Sequence, residues 1–213
     1  MCVKDQRLSP LLAGLLLFML FPPACLHAGD AGTPALLLGG SFEHPPVHRF
    51  LPGSKRTLLF PAMVGKHGEV TPLHSPPGGW PSFLSLFPNW GGFLKQTRER
   101  STLLLATLNP LLIRDRRQVI QMAIITTEDP ATASCILTPG FLQRFSALFG
   151  PELIVSIPAR NKIYVFPKLA NRIGDAREMI RDDYLISPMP VSTELFELSK
   201  KGIRAIGDCD PTH

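Results

Sequence analysis

Histidine is the side chain best suited to proton transfer near neutral pH, and in this chain its distribution is lopsided. The six histidines are His27, His44, His48, His67, His74 and His213, so residues 118–212 contain none. An imidazole acid or base for that half must come from the segment before it or from the tail. His44 and His48, in HPPVH, have the spacing of two ligands on one helix face. Pro45 and Pro46 oppose a helix there and Glu43 is the only acidic neighbour, so they read as loop histidines and no metal or cofactor is expected. Asp182 and Asp183 are adjacent, and neighbours on a helix point about 100° apart. They read as a solvated helix end or as partners of Arg177 or Arg181, not as a facing acid–base pair. Glu128-Asp129 precedes Pro130 and reads as a turn. The sequence has no P-loop, dinucleotide-binding glycine pattern, C-x-x-C, H-E-x-x-H or G-x-S-x-G.

Arg160 is the polar residue that stands out. In LIVSIPARNKIYVFP, Leu153 to Pro167, two apolar runs flank Ala159-Arg160-Asn161-Lys162. They read as two strands with a tight loop at Arg160-Asn161, because asparagine tolerates the left-handed conformation that such loops use. Pro158 lacks an N–H and belongs at an edge or bulge. A guanidinium at a rigid tip suits bidentate capture of a carboxylate or phosphate. The structural alternative is an ion pair with Asp175 or Glu178 of the following helix. The candidate ligand-binding residues are Arg160, Asn161 and Ser192, with Trp80 and Trp90 from an aromatic segment; no catalytic set is identified.

Export comes from the other end of the 213-residue chain. Lys4 and Arg7 precede an unbroken apolar run of 11 residues, Leu11 to Phe21, and small residues follow at Ala24, Ala28 and Gly29. This is the layout of a signal peptide over 1–28; the run is shorter than the ~20 residues of a membrane span and ends at Pro22-Pro23. Acylation at Cys25 is set aside, since these prolines stand where an aliphatic and a small residue are wanted. A secreted or periplasmic protein without a stable membrane span is expected. Cleavage removes Lys4, Arg7 and Asp5 from 22 basic and 17 acidic residues, leaving a net charge of +4. The excess lies in 93–117, with Lys95, Arg98, Arg100, Arg114, Arg116 and Arg117. Basic stretches bind phosphates or anionic membranes, but an exported protein rarely meets nucleic acid, so a solvated helix face is expected. Cys135 and Cys209 remain. Oxidising conditions favour pairing, but the polar setting of Cys209 favours a buried Cys135 and a loose Cys209.

The elements follow from pattern. Residues 29–92 are dense in Pro and Gly, with Trp80, Phe83, Leu84, Leu86, Phe87 and Trp90 interleaved, and read as an irregular segment packing its aromatics elsewhere. Residues 93–117 read as a basic helical connector with Thr102–Ile113 buried. An α+β domain is expected over 118–208, with a tail at 209–213. In it, 118–127 is a strand and 134–137 a short strand. Thr138, Pro139 and Gly150 bracket a helix with Phe141, Leu142, Phe145, Leu148 and Phe149 on one face. A second amphipathic helix carries Ala170, Ile173, Ala176, Ile180 and Tyr184. Residues 186–192 are an extended connector, and 193–207 a hairpin turning at Lys200-Lys201-Gly202. The order ββαββαββ gives a mainly antiparallel sheet with two helices.

The stretches SCILTPGFLQRFSALFGPELIVSIPARNKIYVFP and PVSTELFELSKKGIRAIG resemble the C-terminal part of the YtpQ-like family of uncharacterised bacterial proteins, over about residues 118–207. On that resemblance Pro158, Arg160, Pro190, Ser192 and Phe196 occupy family positions, and Asn161 replaces the usual acidic residue. The family implies no activity. Together these features point to a non-catalytic binding or interaction module of the bacterial envelope, with an envelope protein or a small anionic ligand as partner. The alternative is a hydrolase or transferase using His67 or His74 against Ser192 or Asp183.

Overall fold

The alternating β-branched and aromatic runs of the C-terminal half build a six-stranded antiparallel sheet, ordered β10-β9-β7-β8-β6-β5. Its strands are β5 (Leu111–Arg114), β6 (Ile120–Thr126), β7 (Leu153–Ala159), β8 (Lys162–Pro167), β9 (Glu194–Ser199) and β10 (Gly202–Asp208). This computed structural model describes residues 32–74, 90–169 and 173–210, without the side chains of 90–92 and 94. The expected signal peptide, Trp80 and the rest of 75–89, Ala170, and the end of the tail lie outside the described residues.

The sheet is covered on both faces, and strand alternation sorts its residues. On one face, Phe141, Phe145 and Phe149 of α2 (Pro139–Phe149) pack with Leu153, Val155 and Ile157 of β7, Ile163 and Val165 of β8, and Phe196 of β9. On the other face, Ala176 and Ile180 of α3 (Ile173–Ile186) meet Ile154, Tyr164, Phe166 and Leu195. The fold is α+β with two amphipathic helices against an antiparallel sheet, as the periodicity predicts. The i, i+4, i+8 spacing of the three Phe residues defines the buried stripe of α2. Leu142 is only partly buried, and Leu148, expected on that face, is 44% exposed.

Three local expectations are corrected. Residues 134–137 belong to a 3-10 helix, Thr132–Leu137, with five of its six residues buried. A short run buried all round carries no period that separates strand from helix. The partner hairpin strand of β6 is β5 instead, so the order ββαββαββ stands with a different first pair. The basic connector is helical only through α1 (Trp90–Thr107); Pro110 ends that stretch and β5 begins at Leu111. The apolar run 102–113 is not uniformly buried: Leu105 and Leu108 are, but Leu103 is 71% and Leu111 61% exposed.

The largest correction is the segment read as irregular. Residues 33–72 form a second antiparallel sheet of β1 (Thr33–Gly40), β2 (Arg49–Phe50), β3 (Thr57–Val64) and β4 (Val70–Pro72), ordered β1-β3-β2 with β4 also on β3. Its prolines sit where a missing N–H costs little. Pro34 is on the edge strand β1. Pro61 is in central β3, but β2 pairs Leu58 and Leu59 while β4 pairs Ala62 to Val64, so Pro61 falls at the gap between them. Ala35, Leu37, Phe60, Ala62 and Val64 form the core of this sheet, together with Ala131.

The connection before β3 also closes an edge of the large sheet. The Ala205 N–H of edge strand β10 donates to Pro52 O at 2.8 Å. Gly53 has φ +74°, and a Cβ there would lie 3.2 Å from Ala205 O, so this approach needs glycine. No helix among the described residues is long and apolar enough to cross a membrane.

Candidate functional site

Arg160 and Asn161 form the two-residue tip between β7 and β8, next to a register shift between Ser156 and Ala159 that accommodates Pro158. Neither residue has positive φ, so the left-handed conformation expected of Asn161 is not used; the bulge supplies the bend. The tip is not open to a ligand. Arg160 is 7% exposed. Its Nε donates to Leu38 O at 3.2 Å, its Nη2 is paired with Glu43, and its guanidinium lies over the Phe60 ring at 5.2 Å. The partner is thus neither Asp175 nor Glu178 but a residue of the small-sheet region, 117 positions away in sequence. Asn161 Nδ2 donates to Thr127 O at 3.0 Å, and Thr127 N–H donates to Asn161 O at 3.1 Å. Both side chains therefore hold the hairpin in place.

Ser192 is likewise internal. It is 1% exposed, its Oγ lies 2.7 Å from Thr57 Oγ1, and it accepts the Glu194 N–H at 3.3 Å. Glu194 gathers Thr57 Oγ1 at 2.8 Å and the Lys55 N–H at 2.9 Å, and Ser54 Oγ also donates to it. Beside it, Arg56 pairs with Asp208 at 3.1 Å, and Thr193 Oγ1 donates to Asp208 at 2.6 Å. Residues 54–57 are tied in this way to the start of β9 and the end of β10. Trp80 lies outside the described residues, as does the side chain of Trp90.

The titratable residues of the enzyme reading are dispersed. His67 sits exposed in the β3–β4 turn, and His74 is exposed beyond β4. His67 lines a cleft of about 500 Å³ with Lys66, Arg100, Glu128 and Asp129, and neither Ser192 nor Asp183 is in its walls. Within it Arg100 grips both Asp129 oxygens at 3.1 and 3.2 Å, while Asp129 caps the turn by accepting the Ala131 N–H at 2.7 Å. Asp183 accepts from the Tyr164 hydroxyl and lies 2.7 Å from Lys162 Nζ, so its partner is Lys162 and not Arg177 or Arg181. Burial, then the hydrogen bond and charge of Asp183, push the Tyr164 hydroxyl well above its ordinary pKa. His44 and His48 are exposed, and Glu43 beside them is held by Arg160.

The two thiols do not pair. Cys135 is buried in the α2-side core and Cys209 in the α3-side core, so the sheet lies between them. Cys209 is therefore packed, not loose. Burial pushes Cys135 up to about 12 and Cys209 up to about 11.

Two cavities remain around the start of α2, and sequence reasoning singled out neither. A groove of about 710 Å³ runs between α2 and the β9–β10 turn, walled by Leu137, Pro139, Leu142, Pro151 and Leu198, with Gln143, Ser146, Ser199 and Lys200 at its margins. On the other side of Leu137 and Thr138 is a recess of about 120 Å³, bounded mainly by α1 and the 3-10 helix. The apolar wall was visible only as a core stripe, because Leu142 matches the helical period of the buried Phe residues. No family model matches the chain, and no curated protein or solved structure matches it at a significant level.

Proposed function

We propose that this is an exported, non-catalytic binding module of the bacterial envelope, and that its groove between α2 and the β9–β10 turn takes an anionic amphiphile, an apolar chain ending in a carboxylate. One observation carries the reading. The groove has apolar walls and a single ionisable lining residue, the exposed Lys200, which has no ion-pair partner among the described residues. Apolar walls with few polar groups favour binding, and the rim ammonium complements a carboxylate. The residues that first suggested chemistry (Arg160, Ser192 and Asp183) are engaged in the framework.

The test is titration of the full chain with a medium-chain fatty acid and with the alcohol of equal length. Saturable binding of the acid, weaker for the alcohol and for Lys200→Glu and abolished by Leu142→Arg, is expected. Absence of saturable binding, or binding untouched by Leu142→Arg, refutes it.

Export rests on residues 1–28, and amino-terminal sequencing of the protein recovered outside the cytoplasm should begin at Gly29. Kinship of residues 118–207 with the YtpQ-like family is part of the same proposal. Its support is that the matched positions adjoin: Ala159 bridges Pro190, and the Ser192 N–H donates to Ile157 O at 3.2 Å. A family member with a sheet order other than β10-β9-β7-β8-β6-β5 would sink it.

A further inference from the structure

A cleft of about 360 Å³ beside α3 gathers hydrogen-bond donors that the fold does not use. Three of its residues, Arg181, Tyr184 and Leu185, stand at i, i+3 and i+4 on α3 and so share one helix face. The rest of the wall comes from the region that ties the two sheets: Ser41 after β1, Arg56 before β3, Thr193 before β9 and Asp210 after β10. That part is held by the protein itself. The Ser41 N–H donates to Arg56 O at 2.7 Å, and the Cys209 N–H donates to Thr193 O at 2.9 Å. Arg56 uses one arm of its guanidinium here, since Nη1 pairs with Asp208 at 3.1 Å and lies 3.5 Å from Thr193 Oγ1. Its Nε and Nη2 donate to no protein acceptor among the described residues, and its side chain is 28% exposed. Arg181 is exposed and has neither a hydrogen bond nor an ion pair among the described residues. The half-buried hydroxyls of Tyr184 and Ser41 also lack protein partners among them. Among the described residues, only Ser134 Oγ and Ser156 Oγ are both unpartnered and shut off from solvent, so every one of these donors is reachable.

We propose that this cleft binds a small monocarboxylate with an aromatic body. Its volume falls at the small end of ligand pockets. A guanidinium fork matches a planar carboxylate bidentately, and both Arg181 and the free arm of Arg56 offer one. The Tyr184 ring and Leu185, which is 62% exposed, give the body an apolar wall, and arginine planes stack on aromatic rings. Charge limits the ligand. Asp208 already balances Arg56, and Asp210 stands in the same wall as Arg181, so a single negative charge is accommodated and a phosphate dianion is repelled. The site goes beyond the amphiphile groove, with which it shares no lining residue, and either one stands without the other.

The experiment is calorimetric titration of the full chain with phenylacetate, with phenyl phosphate, and with 2-phenylethanol as the uncharged analogue. One-site binding of phenylacetate, at least tenfold tighter than either of the others, is expected. Arg181→Gln removes a hydrogen bond to a charged ligand and should weaken phenylacetate binding roughly tenfold. Leu185→Glu adds a carboxylate to the wall and should abolish it. Both positions are exposed, so neither change should impair folding, and unchanged melting without ligand checks this. Leu142→Arg should leave phenylacetate affinity unaltered, and Arg181→Gln should leave fatty-acid affinity unaltered, so the two sites fail separately. Absence of saturable phenylacetate binding, phenyl phosphate or 2-phenylethanol binding as tightly, affinity unaltered in Arg181→Gln, or loss in Leu142→Arg would each overturn the proposal.

Discussion

The pairing of Arg160 with Glu43 predicts that Arg160 is a structural residue whose loss is felt as stability. Truncation to alanine strands the Glu43 carboxylate, which keeps only the Gly40 N–H at 3.0 Å, and removes the donor to Leu38 O and the cation over Phe60. Breaking a buried pair costs about 3–5 kcal/mol. The Glu43 side chain is 23% exposed and water reaches it once the arginine is gone, which argues for the lower end, about 3 kcal/mol. At roughly 2–4 °C per kcal/mol for a domain of this size, the melting temperature should fall by about 6–12 °C. Glu43→Ala leaves the more deeply buried guanidinium (8% exposed) with Leu38 O, and should cost at least as much. The double variant Arg160→Met/Glu43→Leu removes both charges together and should cost less than either single change. Urea unfolding of the four proteins measures this directly. An Arg160→Ala variant within about 1 kcal/mol of the parent would refute the reasoning, because exposed or ligand-directed arginines cost that little.

Two further outcomes follow from buried groups. Ser156 Oγ lies in the sheet face towards α3, between Tyr164 and Leu195 on the neighbouring strands, and has no hydrogen-bond partner among the described residues. Ser156→Ala removes a desolvated hydroxyl and should be neutral or stabilising by up to about 1 kcal/mol in urea unfolding, and a loss above that would reveal a partner. The buried thiols should resist a thiol reagent in the native protein at mildly alkaline pH and react on unfolding. Their folded pKa values are raised from 9.0 to about 12 for Cys135 and about 11 for Cys209, so between these limits the unfolded chain has released protons that the folded chain retains. That contribution is complete below pH 9 and is lost as pH rises through the window; replacing both with alanine should flatten this part of the stability profile.

The large sheet was legible because its signals are local. The 153–167 and 193–207 hairpins, the Pro139–Gly150 bracket and the 173–184 period each lie within a few residues of one another and specify their own element. The small sheet was hidden because its strands are rich in Pro34, Pro61 and Pro72, and proline density argues against a ladder unless the gaps in pairing are known. Those gaps depend on β2 and β4 taking different stretches of β3, which is a property of tertiary pairing. The partner of Arg160 was missed for the same reason: helix α3 follows the hairpin in sequence, but Glu43 reaches it from the opposite end of the chain.

The same distance explains why the candidate site moved. Two antiparallel sheets that meet through residues over a hundred positions apart in sequence need polar ties to fix their relative placement, and buried charges retained only with full pairing serve that end. Arg160 with Glu43, and Ser192 and Glu194 with Thr57, Ser54 and Lys55, are such ties. The conspicuous polar residues are therefore occupied by folding. What remains for ligands is made from residues without chemical signatures of their own: the partly buried Leu142 and the rim Lys200. Each is common in any sequence and gains meaning only where α2 faces the β9–β10 turn, so the search for function turns on cavity shape, not on charged motifs.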